Sequence, residues 1–182
     1  MNRREALQTA GVVLGSVALG STVALTACAR EPVPTDGWVL NGEDQALAEA
    51  VADTLLPATP DSPGAADAAI GTAMNLLLSE CYSDDDQRRV LESLAAVRRQ
   101  ARQHGSDRLA QLPRARREEV LRDLDAQATG DPSSSPLEPL RGLALHAFFS
   151  SETGMTRVLR YVAVPGRWIG CTRLEPGQPA WA

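Results

Sequence analysis

The sequence contains no lysine, because all 18 of its basic residues are arginines. This absence excludes Schiff-base catalysis and a phosphate-binding loop of the GxxxxGK[ST] type, both of which need a lysine amine. Only two histidines and three cysteines are present, too few for a zinc site built from several such ligands or for a CxxCH haem attachment. With a net charge of -5, the chain also lacks the excess positive charge typical of a nucleic-acid-binding domain.

Aromatic residues are scarce as well, at 4% of the chain. Five of the seven lie in the last 35 residues: Phe148, Phe149, Tyr161, Trp168 and Trp181. Hydrophobic residues make up 43% and charged residues 23% of the 182 positions, which is ordinary for one folded domain and unlike a disordered polyanion. The composition therefore predicts one acidic globular domain and leaves its function open.

A long uncharged run occupies residues 6–29, directly after Arg3, Arg4 and Glu5. Roughly 20 apolar residues suffice to span a membrane, but the glycines and hydroxyl residues within this run make it less hydrophobic than a leucine-rich anchor. A paired arginine followed by such a stretch is typical of a twin-arginine export signal. We therefore expect residues 1–27 to be a signal peptide read through Arg3 and Arg4, with a retained, uncleaved anchor as the alternative.

The run ends in Leu-Thr-Ala-Cys, which resembles a bacterial lipobox with Cys28 as the lipidated residue. Each buried CH₂ of an acyl chain contributes about 0.8 kcal/mol, so several chains on Cys28 would hold the folded part at a membrane surface. The alternative is an ordinary cleavage site with a chance cysteine. In either case we expect the folded part to work outside the cytoplasm, on the periplasmic side, and the lipid would make it a membrane-anchored lipoprotein.

Apolar residues repeat with helical spacing through residues 41–160, which predicts an all-α fold, an irregular bundle of about five helices. The predicted helices run from Asn41 to Pro57, from Ala66 to Cys81, from Ser83 to Gly105, from Pro113 to Gly130, and from Leu137 to about Ser151. Residues 28–40 are predicted to be a polar linker. Residues 161–182 contain several prolines and glycines, which predicts an extended tail that packs on the domain or on a partner.

The fifth predicted helix is apolar almost all round, which favours a place in the middle of the bundle or under a partner. His146 lies on it and could ligate a metal or shuttle protons, but a buried, hydrogen-bonded core histidine is the favoured interpretation. The acidic run 84–86 lacks the spacing of a calcium loop and is expected to begin a helix at its positive end. Five arginines on the outer side of the third helix are expected to be solvated, with an acidic partner as the alternative: Arg88, Arg89, Arg98, Arg99 and Arg102.

Cys81 and Cys171 are an even pair in a compartment that permits disulfides. A bridge between them would tie the tail to the second helix and, in the chain-entropy model, stabilise the fold by about 4 kcal/mol. We expect this internal bridge. Two free thiols, or a bridge from Cys171 to another chain, are the alternatives.

Two segments carry a family resemblance. Residues 44–65, which contain Leu-Leu-Pro-Ala-Thr and end in Pro-Gly-Ala, and residues 161–171, which end in Pro-Gly-Arg-Trp-Ile-Gly-Cys, together resemble the gluconate 2-dehydrogenase subunit 3 family. Members are small, non-catalytic subunits of membrane-associated sugar or polyol dehydrogenases. In those complexes a large flavoprotein of the glucose-methanol-choline type carries FAD and oxidises the substrate, and it often passes electrons to a c-type cytochrome subunit.

The resemblance implies that this chain escorts and stabilises a folded flavoprotein, which commonly lacks an export signal of its own. It implies no catalytic, cofactor-binding or metal-binding residue here. Because Trp, Tyr and Arg often dominate interface energies, we expect the aromatic-rich tail to hold the partner. The expected contact residues are Tyr161, Arg167, Trp168 and Trp181. For Trp168, a place in the core of this domain is the alternative.

Two other functions remain open from the sequence. The chain could be an independent lipidated helical protein that binds a ligand between its helices. It could also be a self-sufficient enzyme that uses His146 with a nearby carboxylate.

Overall fold

Helices account for the regular structure of the described residues, which are 37–164, 166, 170–171 and 173–181 in this computed structural model. Within these ranges five α-helices are seven residues or longer, and β-structure is limited to two isolated bridges. The all-α prediction is therefore confirmed. In the same part of the chain, no helix is both long enough and apolar enough to cross a membrane.

Helix α1 (Gly42–Leu55) begins at the predicted cap, Asn41, whose side chain accepts hydrogen bonds from two N–H groups of the first turn. These groups have no partner within the helix, so the cap satisfies them. The buried Asn75 fixes Leu40, just before the cap. Its amide donates to the Leu40 carbonyl at 2.7 Å and accepts from the Leu40 N–H at 3.0 Å. The residues at the start of α1 are thus fixed both by the Asn41 cap and by the hydrogen bonds from Asn75.

A tight loop, residues 57–64, follows α1. The Ala65 N–H donates to the Leu56 carbonyl at 2.8 Å and closes the loop at its base. A Cβ atom on Gly64 would lie 2.3 Å from the backbone nitrogen of Ala58, a separation that side chains do not tolerate. Glycine at this position lets the two ends of the loop approach each other.

The second predicted helix, from Ala66 to Cys81, is interrupted in the structure. It forms a short helix α2 (Ala65–Ala68) and a longer helix α3 (Gly71–Cys81). Ala69 lies between them in the left-handed conformation, with a φ of 47°, and a right-handed helix cannot continue through it. The apolar pattern conceals the break because Ile70, immediately after it, is again buried.

Helix α4 (Asp84–Gln103) begins and ends where local signals predict, whereas helix α5 (Arg114–Asp125) begins as predicted but ends before the expected stop at Gly130. Ser83 caps α4 by accepting the backbone N–H three residues later at 3.3 Å. Gly105 lies just beyond the C-terminal cap with a φ of 96°, a conformation that favours glycine. Pro113 is the N-terminal cap of α5.

Helix α6 (Glu138–Phe149) packs against α1, α3 and α4 and forms one wall of the core. Its buried side chains share one face: Leu140, Leu143, Ala144, Ala147 and Phe148. The opposite face carries Leu145, His146 and Phe149, which are exposed. Of the two places expected for this helix, the middle of the bundle is therefore wrong, because only one of its faces is enclosed by the described residues. A place under a partner stays a prediction.

Candidate docking surface

The chain turns sharply after α6. The Ser151 hydroxyl donates to the Phe148 carbonyl at 2.6 Å and accepts from the Gly154 N–H at 3.0 Å. A Cβ on Gly154 would lie 2.1 Å from the Phe148 carbonyl oxygen, so the turn requires glycine. A single π-helical turn, Gly154–Val158, then leads to the last residues of the chain.

Arg160, directly before the tail, lies against Trp181 near the end of the tail. The Arg160 N–H donates to the Ala180 carbonyl at 2.7 Å, and Arg160 and Trp181 form a parallel bridge. The Arg160 guanidinium carbon lies 4.2 Å from the centroid of the Trp181 ring, which is cation–π geometry. A backbone hydrogen bond and a side-chain contact therefore both join Arg160 to the end of the tail.

Sequence reasoning missed Arg160. Neither periodicity nor a motif relates it to Trp181, because the two residues are far apart in the sequence and the segment between them has no regular repeat. The sequence offers one weak signal for Arg160, namely its position directly before Tyr161 and an aromatic-rich tail.

Exposed apolar side chains are concentrated in this tail. Of the eight large hydrophobic residues that are exposed in the described part of the chain, five lie between residues 161 and 181: Tyr161, Val162, Val164, Leu174 and Trp181. Tyr161 is 49% exposed and Trp181 is 51% exposed. Single exposed apolar residues are normal, whereas contiguous exposed patches are typical of interaction surfaces, so this tail is the candidate docking surface.

Of the predicted partner contacts, Tyr161 and Trp181 can therefore be located, and both are accessible. Their contact with a partner stays a prediction. The other residues assigned to export, lipidation or partner contact lie outside the described residues: Arg3, Arg4, Cys28, Arg167 and Trp168.

The expected bridge between Cys81 and Cys171 is not formed in the structure. Both cysteines are free and both are exposed. Cys81 is the last residue of α3, and Cys171 lies in the irregular tail. The even cysteine count suggested a pair, but a count carries no information on the distance between two thiols.

His146 is exposed, so the prediction of a buried core histidine is wrong. It lies on the outer face of α6, and its Nδ1 is 3.4 Å from the Tyr82 hydroxyl. Partial burial raises the pKa of the Tyr82 phenol above its usual value, and the negative charge of Asp86 adds to the effect. In the described part of the chain no ion pair joins His146 to a carboxylate, so its observed polar contact is a phenol.

The acidic run at residues 84–86 begins α4, as predicted. Asp85 forms an ion pair with Arg88, and Asp86 accepts a hydrogen bond from the Ser83 hydroxyl at 2.7 Å. These carboxylates lie at the positive end of the helix dipole, which they stabilise. Among the described residues, no three or more His, Cys, Asp or Glu side chains are grouped to hold a metal ion.

The arginine-rich side of α4 is less uniform than predicted. Arg98 donates to Asp44 at 2.5 Å, and only 30% of its side chain is exposed. This pair joins α4 to the first turn of α1. The expectation that all five arginines are solvated is therefore wrong for Arg98, whose partner is 54 positions away and was not evident from the sequence.

A cavity of about 550 Å³ opens between the start of α1, the C-terminal half of α4 and the short 3₁₀ turn Leu109–Gln111. The buried side chains of Leu47 and Leu109 contribute apolar lining, and Arg102 and Arg108 are among its charged residues. Its volume falls within the range of small-molecule sites, roughly 300–1,000 Å³.

Comparison with known proteins gives one match. A family model described as gluconate 2-dehydrogenase subunit 3 matches residues 42–166, which is more than half of the chain and extends from the first residue of α1 into the tail. No curated protein and no solved structure gives a significant match.

Proposed function

The chain belongs to the gluconate 2-dehydrogenase subunit 3 family, and from this we propose that it is the non-catalytic small subunit of an exported flavin-dependent sugar or polyol dehydrogenase. Its partner would be a large subunit of the glucose-methanol-choline type, which holds FAD and carries out the oxidation. A c-type cytochrome would be the natural electron acceptor in such a complex.

The observation that carries this proposal is the extent of the family match. Residues 42–166 include all the described α-helices and the turn that leads into the tail, so the whole helical body corresponds to the family's subunit. The family name describes one subunit of a dehydrogenase complex, which supports a role in association with other subunits. A helical body followed by a tail with exposed aromatic residues suits such a role.

The proposed contribution of the chain is export and stabilisation. A flavin is inserted into its enzyme in the cytoplasm, so the enzyme must be exported folded. A folded enzyme without a signal of its own needs a durable contact with a chain that has one. Arg3 and Arg4 would supply the signal, a lipid on Cys28 would anchor the complex, and Tyr161, Arg167, Trp168 and Trp181 would contact the enzyme.

The escort role is tested by changing Arg3 and Arg4 together to lysine in cells that also make the flavoprotein. Lysine keeps the charge but not the paired arginine that the export machinery reads. We expect flavin-containing enzyme to remain in the cytoplasmic fraction, measured by cell fractionation and flavin absorbance.

The matched control is Arg30→Lys, which makes the same chemical change just after the uncharged run. Export should be normal in this variant. If the flavoprotein still reaches the periplasm when Arg3 and Arg4 are both lysine, the escort role is wrong.

A second candidate function rests on the cavity between α1 and α4. Its apolar lining and its arginines would suit a small molecule with apolar and anionic parts. An independent ligand-binding protein should purify alone with a bound small molecule, which native mass spectrometry would detect. Purification with a flavoprotein and an empty cavity would favour the accessory subunit.

A further inference from the structure

The contact between Arg160 and Trp181 brings together side chains of the kinds that dominate protein interfaces. We infer that Arg160, Tyr161, Val162 and Trp181, here called the clasp patch, form a preassembled docking surface for the flavoprotein subunit. This inference rests on the proposed function. It adds Arg160 and Val162 to the expected contacts and assigns Trp181 a second, internal role.

The patch is preassembled by contacts within this chain. The bond from the Arg160 N–H to the Ala180 carbonyl, at 2.7 Å, aligns the two backbone segments. The guanidinium group then lies over the indole ring at 4.2 Å, which restricts the rotation of both long side chains. Restricting them before association lowers the entropy cost of binding, which is the general advantage of preorganisation.

Half of the Trp181 surface remains accessible despite the Arg160 contact. Tyr161 and Val162 directly follow Arg160, and they are 49% and 42% exposed. The patch therefore combines an aromatic anchor, a second aromatic residue and an arginine in neighbouring positions. Interface hot spots are enriched in tryptophan, tyrosine and arginine.

The chemistry of the patch favours a protein partner with an apolar, neutral or acidic surface. A membrane surface attracts clusters of basic residues, whereas the clasp patch carries a single cation that is already engaged with an indole ring. Self-association about a twofold axis through the patch would bring two copies of Arg160 together, and like charges repel. Contact with the partner subunit requires neither a cluster of basic residues nor a second copy of Arg160 at the interface.

Binding is measured with the full chain in a Cys28→Ser background, so that no lipid contributes. The probe is the purified flavoprotein of the glucose-methanol-choline type that is proposed above as the partner. Trp181→Ala should weaken binding about thirtyfold and Arg160→Ala about tenfold. The double variant should lose no more than about threefold beyond Trp181→Ala, because the two side chains act as one unit.

Preassembly has its own measurement, without the partner. Hydrogen exchange at the Arg160 amide should accelerate about tenfold in Trp181→Ala, because the bond to Ala180 loses the support of the ring. Arg173→Ala is the matched control, an exposed arginine in the same tail. It should change both the exchange rate and the flavoprotein affinity by less than about threefold.

The outcomes separate the docking patch from the accessory role. A wild-type chain that does not bind the flavoprotein overturns the proposed function itself. A wild-type chain that binds, together with Trp181→Ala and Arg160→Ala variants that bind equally well, overturns the patch and leaves the accessory role standing. The patch is also overturned if the Trp181→Ala and Arg160→Ala variants bind the flavoprotein normally but lose binding to phosphatidylglycerol vesicles. The same holds if they bind the flavoprotein normally but lose a dimer that the wild-type chain forms.

Discussion

Asp131 illustrates how single polar residues stabilise the turns of this chain. It caps the short turn Pro132–Ser134, where its carboxylate accepts the Ser133 hydroxyl at 2.6 Å and the Ser133 backbone N–H at 2.9 Å. These bonds favour the ionised form, the hydroxyl bond most strongly, and they hold the pKa of Asp131 below its ordinary value. The turn connects α5 to α6, so the cap contributes to the placement of both helices.

The Asp131 cap gives a prediction about pH. Since the pKa of this carboxyl is lower in the folded than in the unfolded chain, the ionised cap stabilises the fold above the ordinary pKa. This stabilisation is lost as the pH falls through the lowered folded value. Ser133→Ala removes the stronger of the two bonds and should raise the pKa of Asp131 towards the ordinary value, measured by carbon-13 NMR of the carboxyl group.

Ser134→Ala is the control, because the Ser134 hydroxyl donates to the Asp131 backbone carbonyl and not to the carboxylate. The pKa of Asp131 should change less in this variant than in Ser133→Ala. An equal change in both variants would show that the turn as a whole, and not the hydroxyl bond, sets the pKa.

Polar contacts between distant residues are the part of the residue scale that the sequence does not predict. Asn75 is completely buried and bonds to Leu40, 35 positions earlier, yet its position on α3 indicates only an interruption of an apolar stripe. The prediction for His146 failed in the opposite direction, because it placed an exposed polar residue in the core. The nearly uniform apolar sequence around it suggested burial, whereas five neighbours on the other face of α6 fill the core.

The two glycines of the α6 region offer a prediction at the scale of an element. Gly154 has no room for a side chain, because a Cβ would lie 2.1 Å from the Phe148 carbonyl oxygen. Gly154→Ala should therefore lower the free energy of unfolding by about 1–3 kcal/mol, since backbone atoms must shift. The measurement is a urea titration followed by circular dichroism.

Gly142 is the matched control within α6 itself. A Cβ there would meet nothing within 4 Å, and the residue is exposed. Gly142→Ala should raise the free energy of unfolding by about 0.5–1 kcal/mol, because alanine loses less conformational entropy in a helix. If both substitutions have the same sign, close approach at Gly154 does not control the turn after α6.

Helix boundaries were predicted well where the signal is local. Asn41 and Ser83 cap the helices for which they were assigned, and Gly105 ends α4 as expected. Pro113 was expected in the first turn of α5 and lies one position earlier, at its N-terminal cap. Each of these signals acts on backbone groups within one helical turn. The break at Ala69 has no such signal, because alanine rarely adopts a left-handed conformation and nothing in its side chain indicates one.

At the scale of the whole molecule, ion pairs connect helices that the sequence could not match. Arg98 pairs with Asp44 between α4 and α1, and Arg117 pairs with Asp53 at 2.9 Å between α5 and α1. In addition, His104 Nε2 lies 2.9 Å from a carboxylate oxygen of Asp123, a hydrogen bond that joins the end of α4 to α5. The sequence predicted the helices because their amphipathic pattern is local. It did not predict which of many arginines and carboxylates meet, because that depends on how the helices pack.

The clasp patch, too, could be predicted only in part, because its central contact joins residues that are far apart in the sequence. Composition identified the tail as aromatic-rich, and the exposure of Tyr161 and Trp181 agrees with a surface role. Pairing Trp181 with Arg160 required the three-dimensional arrangement of a segment without periodicity.

The last prediction concerns the location of the whole complex. If Cys28 carries the lipid that we propose, Cys28→Ser should move the chain and its flavoprotein together from the membrane fraction to the soluble periplasmic fraction, because the acyl chains supply the membrane affinity. Immunoblots of fractionated cells, with flavin absorbance for the partner, measure this change. Cys81→Ser and Cys171→Ser are matched controls, since both thiols are exposed and free and both are far from Cys28 in the sequence. They should leave the complex at the membrane. A Cys28→Ser protein that stays in the membrane fraction would mean that another element of the complex provides the anchor, and lipidation would then have no part in localisation.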